Sequence, residues 1–200
     1  MKYGVWRDEI TAEPGYSKEL YSPDFEKYKD QTTLDELVIL DDKEVDTIYK
    51  AFKKRANDPV KGKIDFLGTR VGTKYRWTSF LQAALSSKQL AAGISKLGLA
   101  PDVEAEDKIW RFIGIFSRNR EEWLLTHLAN MHIKSTTVGI FDSMEEESCR
   151  FLVNQTELTT VACSDTQISK LVGWLENDLK LPEHERKMHR VKNLICFDDH

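Results

Sequence analysis

Apolar residues change their spacing several times along this 200-residue chain, and each change marks an element. Residues 1–43 show no sustained period. Pro14, Pro23, several tyrosines and two acidic clusters predict an extended arm there. From Glu44 to Arg55, Val45, Ile48, Tyr49 and Phe52 recur at helical spacing, and Asn57-Asp58-Pro59 ends the run. Residues 66–71 and 74–77 read as two short strands around Gly72-Thr73. Ser79 then predicts the cap of a helix carrying Phe80, Leu81, Ala84, Leu85, Leu90, Ile94 and Leu97, with Gly98 as its stop.

Beyond Pro101 and an acidic loop the rhythm becomes an alternation of short apolar runs and amphipathic stretches. Residues 111–116 are nearly continuous apolar sequence, the signature of a strand buried on both faces. A helix over 120–131 follows, then a strand over 136–141, a helix over 144–153 and a strand over 159–163. A helix over 166–179 and a strand over 193–197 complete the series. Strands alternating with helices predict an α/β fold with a mostly parallel sheet, here preceded by the acidic arm of residues 1–43. After the last strand come only Asp198-Asp199-His200. Because parallel strands normally have both faces covered, residues 44–200 read as part of a domain that is interrupted rather than finished.

Composition narrows the function classes. No stretch approaches the roughly 20 apolar residues of a membrane helix, nothing in the sequence reads as a membrane anchor, and the first nine residues lack the apolar core of a signal peptide. Net charge is -4, which argues against a general nucleic-acid surface. The acid is concentrated: residues 1–60 hold 10 Lys/Arg and 14 Asp/Glu, whereas residues 61–200 hold 19 of each. Cys149, Cys163 and Cys196 form no CxxC pair, are odd in number and lie in or beside apolar runs. Reduced, buried thiols in a reducing intracellular compartment are the expectation. The Asn154-Gln155-Thr156 triplet between a helix and a strand is discounted as a glycosylation site.

The search for chemistry centres on the strand-to-helix loops, where open α/β sheets bind their ligands. Ser117-Arg118-Asn119-Arg120 follows the first strand of the alternation. An Asn cap with arginines paired to nearby acids outweighs a phosphate site there. Asp142-Ser143 and Ser164-Asp165-Thr166 read as helix caps in the same way. Gly68 and Gly72 fit neither GxGxxG nor GxxxxGK[ST], and Lys134-Ser135-Thr136-Thr137 lacks the glycines of a P-loop. His127 and His132, like His184 and His189, are five residues apart, which does not place two ligands on one helical face. Asp198, Asp199 and His200 read as a solvated terminus, and Lys53, Lys54 and Arg55 as a solvated helix face. Spacing alone therefore yields no catalytic, cofactor-binding or metal-binding residue.

Three segments carry a resemblance. Phe66-Leu67-Gly68-Thr69-Arg70 with Tyr75-Arg76-Trp77 is the first. Residues 113–123, with Asn119-Arg120 and Glu122-Trp123, are the second, and Val138-Gly139-Ile140-Phe141-Asp142-Ser143 is the third. In this order they resemble the amino-terminal region of long-chain fatty acid–CoA ligases, in the adenylate-forming AMP-binding superfamily. Phe141 and Ser143 replace the Tyr and Thr of that family's Tyr-Asp-Thr step. Val161-Ala162-Cys163 and Leu194-Ile195-Cys196-Phe197-Asp198 are similar in character to two later strands, so the resemblance spans about residues 44–198.

The resemblance implies ATP-dependent formation of an acyl-adenylate, then transfer of the acyl group to coenzyme A, with Mg2+ required. It also implies that the phosphate loop, the nucleotide contacts and the hinge to a small domain belong to sequence beyond this segment. The segment itself then binds none of ATP, Mg2+ or CoA. Asn119, Arg120 and Trp123 would pack and cap rather than catalyse. The partners implied are the remainder of the chain or a covering protein, with fatty acid and CoA as substrates of the whole enzyme. The alternative is a truncated, non-catalytic relative serving as a structural or interaction subunit. The resemblance leaves open the organelle (endoplasmic reticulum, mitochondrion or peroxisome) and peripheral attachment to a membrane.

Overall fold

The computed structural model describes residues 5–6, 12–18, 20–21 and 44–198. The chain divides into two compact units, Met1–Thr47 and Ile48–His200. In the first, β1 (Val5–Trp6) pairs antiparallel with β2 (Leu20–Tyr21), and Gly15 adopts a φ of +91° between them. Apart from these strands and residues 12–18, the arm expected over residues 1–43 lies outside the described residues.

The second unit opens with α1 (Ile48–Asn57), which starts four residues later than the periodicity predicts and runs two residues further. Asp58 ends it: its Oδ1 accepts the N–H groups of Val60 and Lys61, turning the chain. Next, β3 (Asp65–Val71) and β4 (Lys74–Ser79) form the expected hairpin. Gly72 supplies the positive φ, +63°, at the first position of its two-residue turn. The helix α2 (Phe80–Lys96) begins in a reciprocal capping box: Ser79 Oγ accepts the Gln82 N–H, and Gln82 Oε1 accepts the Ser79 N–H. It ends at Gly98, whose φ is +63°.

The acidic loop expected after Pro101 is instead a second hairpin, β5 (Val103–Ala105) with β6 (Lys108–Trp110). Glu106 and Asp107 both take positive φ in its turn, a geometry that Asn-Gly normally signals. The alternation then follows the sequence closely: β7 (Phe112–Phe116), α3 (Glu121–His132), β8 (Thr136–Ile140), α4 (Glu146–Gln155), β9 (Thr160–Cys163), α5 (Asp165–Lys180) and β10 (Asn193–Cys196). Four of these strands build one parallel sheet in the order β10-β9-β7-β8.

Both faces of the sheet are covered. On one, Phe116, Ile140, Val161 and Cys163 pack with Cys149 and Val153 of α4, and with Leu171 and Trp174 of α5. On the other, Ile113 packs with Ala91 and Ile94 of α2 and Ala129 of α3. Beside this layer α1 docks through Phe52, whose ring lies 5.5 Å from that of Phe66 and 6.2 Å from that of Phe80. Side chains of β7 alternate between the two layers, and all but Phe112 are fully buried. Gly114, at the centre, leaves room for a neighbour: a Cβ there would lie 2.7 Å from Leu158 Cδ2.

Candidate functional site

Strand order fixes where a ligand site belongs in this sheet. From β7 the chain crosses to β8 on one side and then returns past β7 to β9 on the other. That reversal opens a crevice outside the carboxyl ends of β7 and β9, the place where such sheets hold ligands. The loops meeting there are 117–120 after β7 and 164 after β9. Residues 197–198 after β10 and 141–145 after β8 flank them.

Ion pairs tie three of these loops together, and a backbone hydrogen bond at the start of α5 joins the fourth. Arg118 Nε donates to Asp142 Oδ2 at 2.7 Å, and that guanidinium holds the Asp142 carboxyl below the usual carboxylate range. Arg120 reaches two acids: Nε to Glu122 Oε2 at 2.6 Å, and Nη1 to Asp198 Oδ1 at 2.9 Å. Asp198 Oδ2 also accepts the backbone N–H of Asp165 at 2.8 Å, so this carboxylate caps the positive end of α5. Lys170, on the first turns of α5, donates to Met144 O at 2.8 Å and sits 4.8 Å from the Trp174 ring centroid. Arg118 and Arg120 are thus paired with the protein's own carboxylates at this end of the sheet.

These contacts correct the expected caps. The N-cap of α3 is Arg120 and that of α4 is Glu145, and neither makes a side-chain cap; Asn119 is exposed. Ser164 is the N-cap residue of α5, but its hydroxyl pairs with Thr166 Oγ1 and leaves the capping to Asp198. The expected pairing of arginines with nearby acids is present for both Arg118 and Arg120. Asp198 is a bridging residue rather than a merely solvated one, while Asp199 and His200 lie outside the described residues.

The other candidates are dispersed. Gly68 and Gly72 lie in the β3–β4 hairpin. Lys134 adopts a φ of +56° between α3 and β8, Ser135 Oγ donates to Arg111 O, and Thr137 Oγ1 pairs with His127 and Asn130. His132 pairs with Tyr49, His184 with Glu185 and His189 with Arg186 O, and among the described residues no cluster suited to a metal ion occurs. Arg55 lies over Phe80 and Lys53 near Tyr49, so part of that basic step covers aromatic rings.

One further feature was not legible from motifs. A groove of about 550 Å3 runs between β3 (Leu67–Arg70) and the start of α3 (Asn119–Leu124). Beside it Glu121, only 10% exposed, accepts from Thr78 Oγ1 at 2.5 Å, Thr69 Oγ1 at 2.7 Å and Arg76 Nη2 at 3.3 Å. Burial alone would raise the Glu121 pKa, but the two hydroxyls and the guanidinium outweigh it and hold the carboxyl below its ordinary value.

Comparison with known proteins places this architecture. The AMP-binding enzyme family matches residues 52–198. Fatty acyl-CoA synthetase A of Dictyostelium discoideum is 25% identical over 129 residues, covering 64% of this chain and 18% of that protein. Long-chain-fatty-acid–CoA ligase 5 of Rattus norvegicus is 27% identical over 135 residues, covering 66% and 19%. The chain therefore spans about a fifth of the length of these relatives. Among solved structures, a fatty acyl CoA synthetase of Mycobacterium tuberculosis superposes with a TM-score of 0.55 at 13% identity, over 78% of this chain and 27% of that one.

Proposed function

The chain belongs to the AMP-binding enzyme family, and from that premise we propose that it forms the amino-terminal scaffold of an ATP-dependent long-chain fatty acid–CoA ligase. The match over residues 52–198, which spans the four-stranded sheet and its helices, is the observation that carries this reading. In the proposed reaction the fatty carboxylate attacks the α-phosphorus of ATP, forming acyl-adenylate and releasing pyrophosphate. The CoA thiol then displaces AMP to give the thioester. The domain division proposed with it is an arm over residues 1–43 and a partial AMP-binding-type domain over 44–200.

The residues at the carboxyl ends of the strands do not fit a nucleotide. The described loops hold no glycine-rich turn, Asp198 occupies the amino end of α5, and Arg118 and Arg120 are engaged by carboxylates. Nor is there among the described residues a cluster of ligands for Mg2+. No step of the reaction is therefore assigned to a residue of this chain. Its part is to hold the sheet on which the reacting groups would be mounted.

The test has two readouts. Fatty-acid-dependent pyrophosphate release by the 200-residue chain should not exceed a control without protein, because a lowered barrier requires positioned groups for the phosphates and the acceptor. Release above the control would overturn the scaffold reading. The native polypeptide, isolated with an antibody to residues 1–200, should be much heavier than 23.1 kDa. A product at 23.1 kDa would favour the non-catalytic subunit instead.

A further inference from the structure

Two of the three cysteines stand side by side. In the parallel pairing of β9 with β10, Cys196 lies in register with Cys163. Successive side chains of a strand point to opposite faces, and registered neighbours in a parallel sheet share one. The surroundings identify that face. Val161 and Cys163 pack toward α4 and α5, whereas Asn193 reaches the Thr160 hydroxyl and Ile195 packs with Ile94 and Ile113 on the other side. Leu194 and Cys196 therefore share the α5 face with Val161 and Cys163. The two thiols feel each other: burial first, and then the charge of Cys196, push the Cys163 thiol up to about 12. Cys163 is fully buried, while Cys196, on the outer strand β10, is half-buried and gives the pair a way in from solvent.

Spacing decides what such a pair can do. Neighbouring strands lie about 4.7–4.9 Å apart, and side chains in register leave them in parallel directions. A disulfide needs Cβ atoms within about 3.5–4.5 Å, so closing one here would draw β10 against β9. An ion held collinearly between two sulfurs, at about 2.3 Å from each, spans about 4.6 Å and fits the strands as they stand. Among the described residues no group of three donors offers a shell to Zn2+ or to a harder ion. A soft cation that takes two thiolates is a different case.

We propose that Cys163 and Cys196 form a two-coordinate clamp for a soft monovalent cation of the Cu(I) class. Thiolate sulfur selects such an ion over the hard cations that carboxylates and carbonyls hold. As the two metal–sulfur bonds form, both thiols release their protons to water, so one cation and two neutral thiols give a singly negative complex and two protons. The metal keeps its oxidation state and no oxidant is consumed. Ser164, the residue after Cys163, begins α5, whose positive end favours that negative charge. The inference goes beyond the ligase reading and does not rest on it, because it uses no group of that reaction.

The experiment is an anaerobic titration of the whole reduced chain with Cu(I) in competition with bicinchoninate, a chelator that colours on binding Cu(I). The chain should withdraw one equivalent from the chelator, and X-ray absorption of the complex should show two sulfur neighbours and no nitrogen. Cys163→Ser and Cys196→Ser should each lose that equivalent, while Cys149→Ala, on α4 and outside the pair, should keep it. Circular dichroism reports whether each variant is folded, and Cys196→Ser, at the half-buried position, decides the question if Cys163→Ser unfolds. Bound Cu(I) should also slow alkylation of Cys196 in the parent chain. Failure to withdraw Cu(I) from the chelator would overturn the proposal, as would an equivalent retained by folded Cys196→Ser. Loss of the equivalent in folded Cys149→Ala would overturn it too, by showing a third sulfur on the metal.

Discussion

His132 stands where three helices meet. Its Nδ1 pairs with the Tyr49 hydroxyl of α1 at 3.0 Å and its Nε2 with the Ser87 hydroxyl of α2 at 3.4 Å. The neutral ring serves both partners, accepting at one nitrogen and donating at the other. Burial lowers its pKa, and Lys53 and Lys88 lower it further; His127, on the same helix, is lowered by burial. Both histidines are thus held below the ordinary value of 6.5 in the folded chain. The unfolded chain binds more protons in that window, so folding stability is full above pH 6.5 and falls as pH drops through it. Denaturant midpoints measured from neutral pH down to about pH 5.5 should decline less in His132→Gln than in the parent. A second prediction concerns the thiols. Burial pushes Cys149 up to about 11 and Cys163 up to about 12, so both stay protonated at mildly alkaline pH. An alkylating reagent should modify them only when the chain is unfolded, as mass spectrometry would show.

At the scale of elements, Glu121 fastens a hairpin to a helix. Its carboxylate satisfies Thr69 of β3 and both Arg76 and Thr78 of β4 while standing at the start of α3. Glu121→Ala should cost about 1–2 kcal/mol, because it leaves the half-buried hydroxyls of Thr69 and Thr78 without their acceptor, whereas the exposed Arg76 guanidinium can turn to water. Amide exchange in β3 and β4 should quicken while β7, β8 and β9 keep their protection. Loss of protection throughout the sheet would mean that the hairpin is not a separate fastening. This contact also marks where sequence reading stops. The helix from Phe80 to Lys96 and the buried run of β7 follow from local spacing, and so does the Ser79 cap. The Thr69–Glu121 and Arg120–Asp198 contacts join residues 52 and 78 positions apart, and no local pattern encodes them. The β5–β6 hairpin was missed because Glu106 and Asp107 occupy left-handed positions that seldom carry such residues.

For the molecule as a whole, the ion pairs across the carboxyl end of the sheet make a definite statement about ligands. A ligand that binds the folded state raises its melting temperature by mass action. Mg-ATP or CoA added to this chain alone should leave its thermal transition unmoved, since Arg118, Arg120 and the amino end of α5 are already engaged by Asp142, Glu122 and Asp198. A rise with ATP that grows in Asp198→Asn would show instead that the crevice can exchange its own carboxylate for a nucleotide phosphate.

The order β10-β9-β7-β8 also has a consequence for how the chain acquires its structure. The first strand of the sheet to be synthesised, β7, ends in its interior. Its pairing with β8 needs only the intervening α3, but Gly114 must wait for Val161 before the other edge is filled. During that interval Ile113, Ile115 and Phe116, which end fully buried, border an open row of hydrogen-bonding groups. Pairing across such a separation is slow, and the unpaired edge is open to other chains meanwhile. Refolding from denaturant should therefore lose yield as protein concentration rises, with β7 as the segment through which the chains first join.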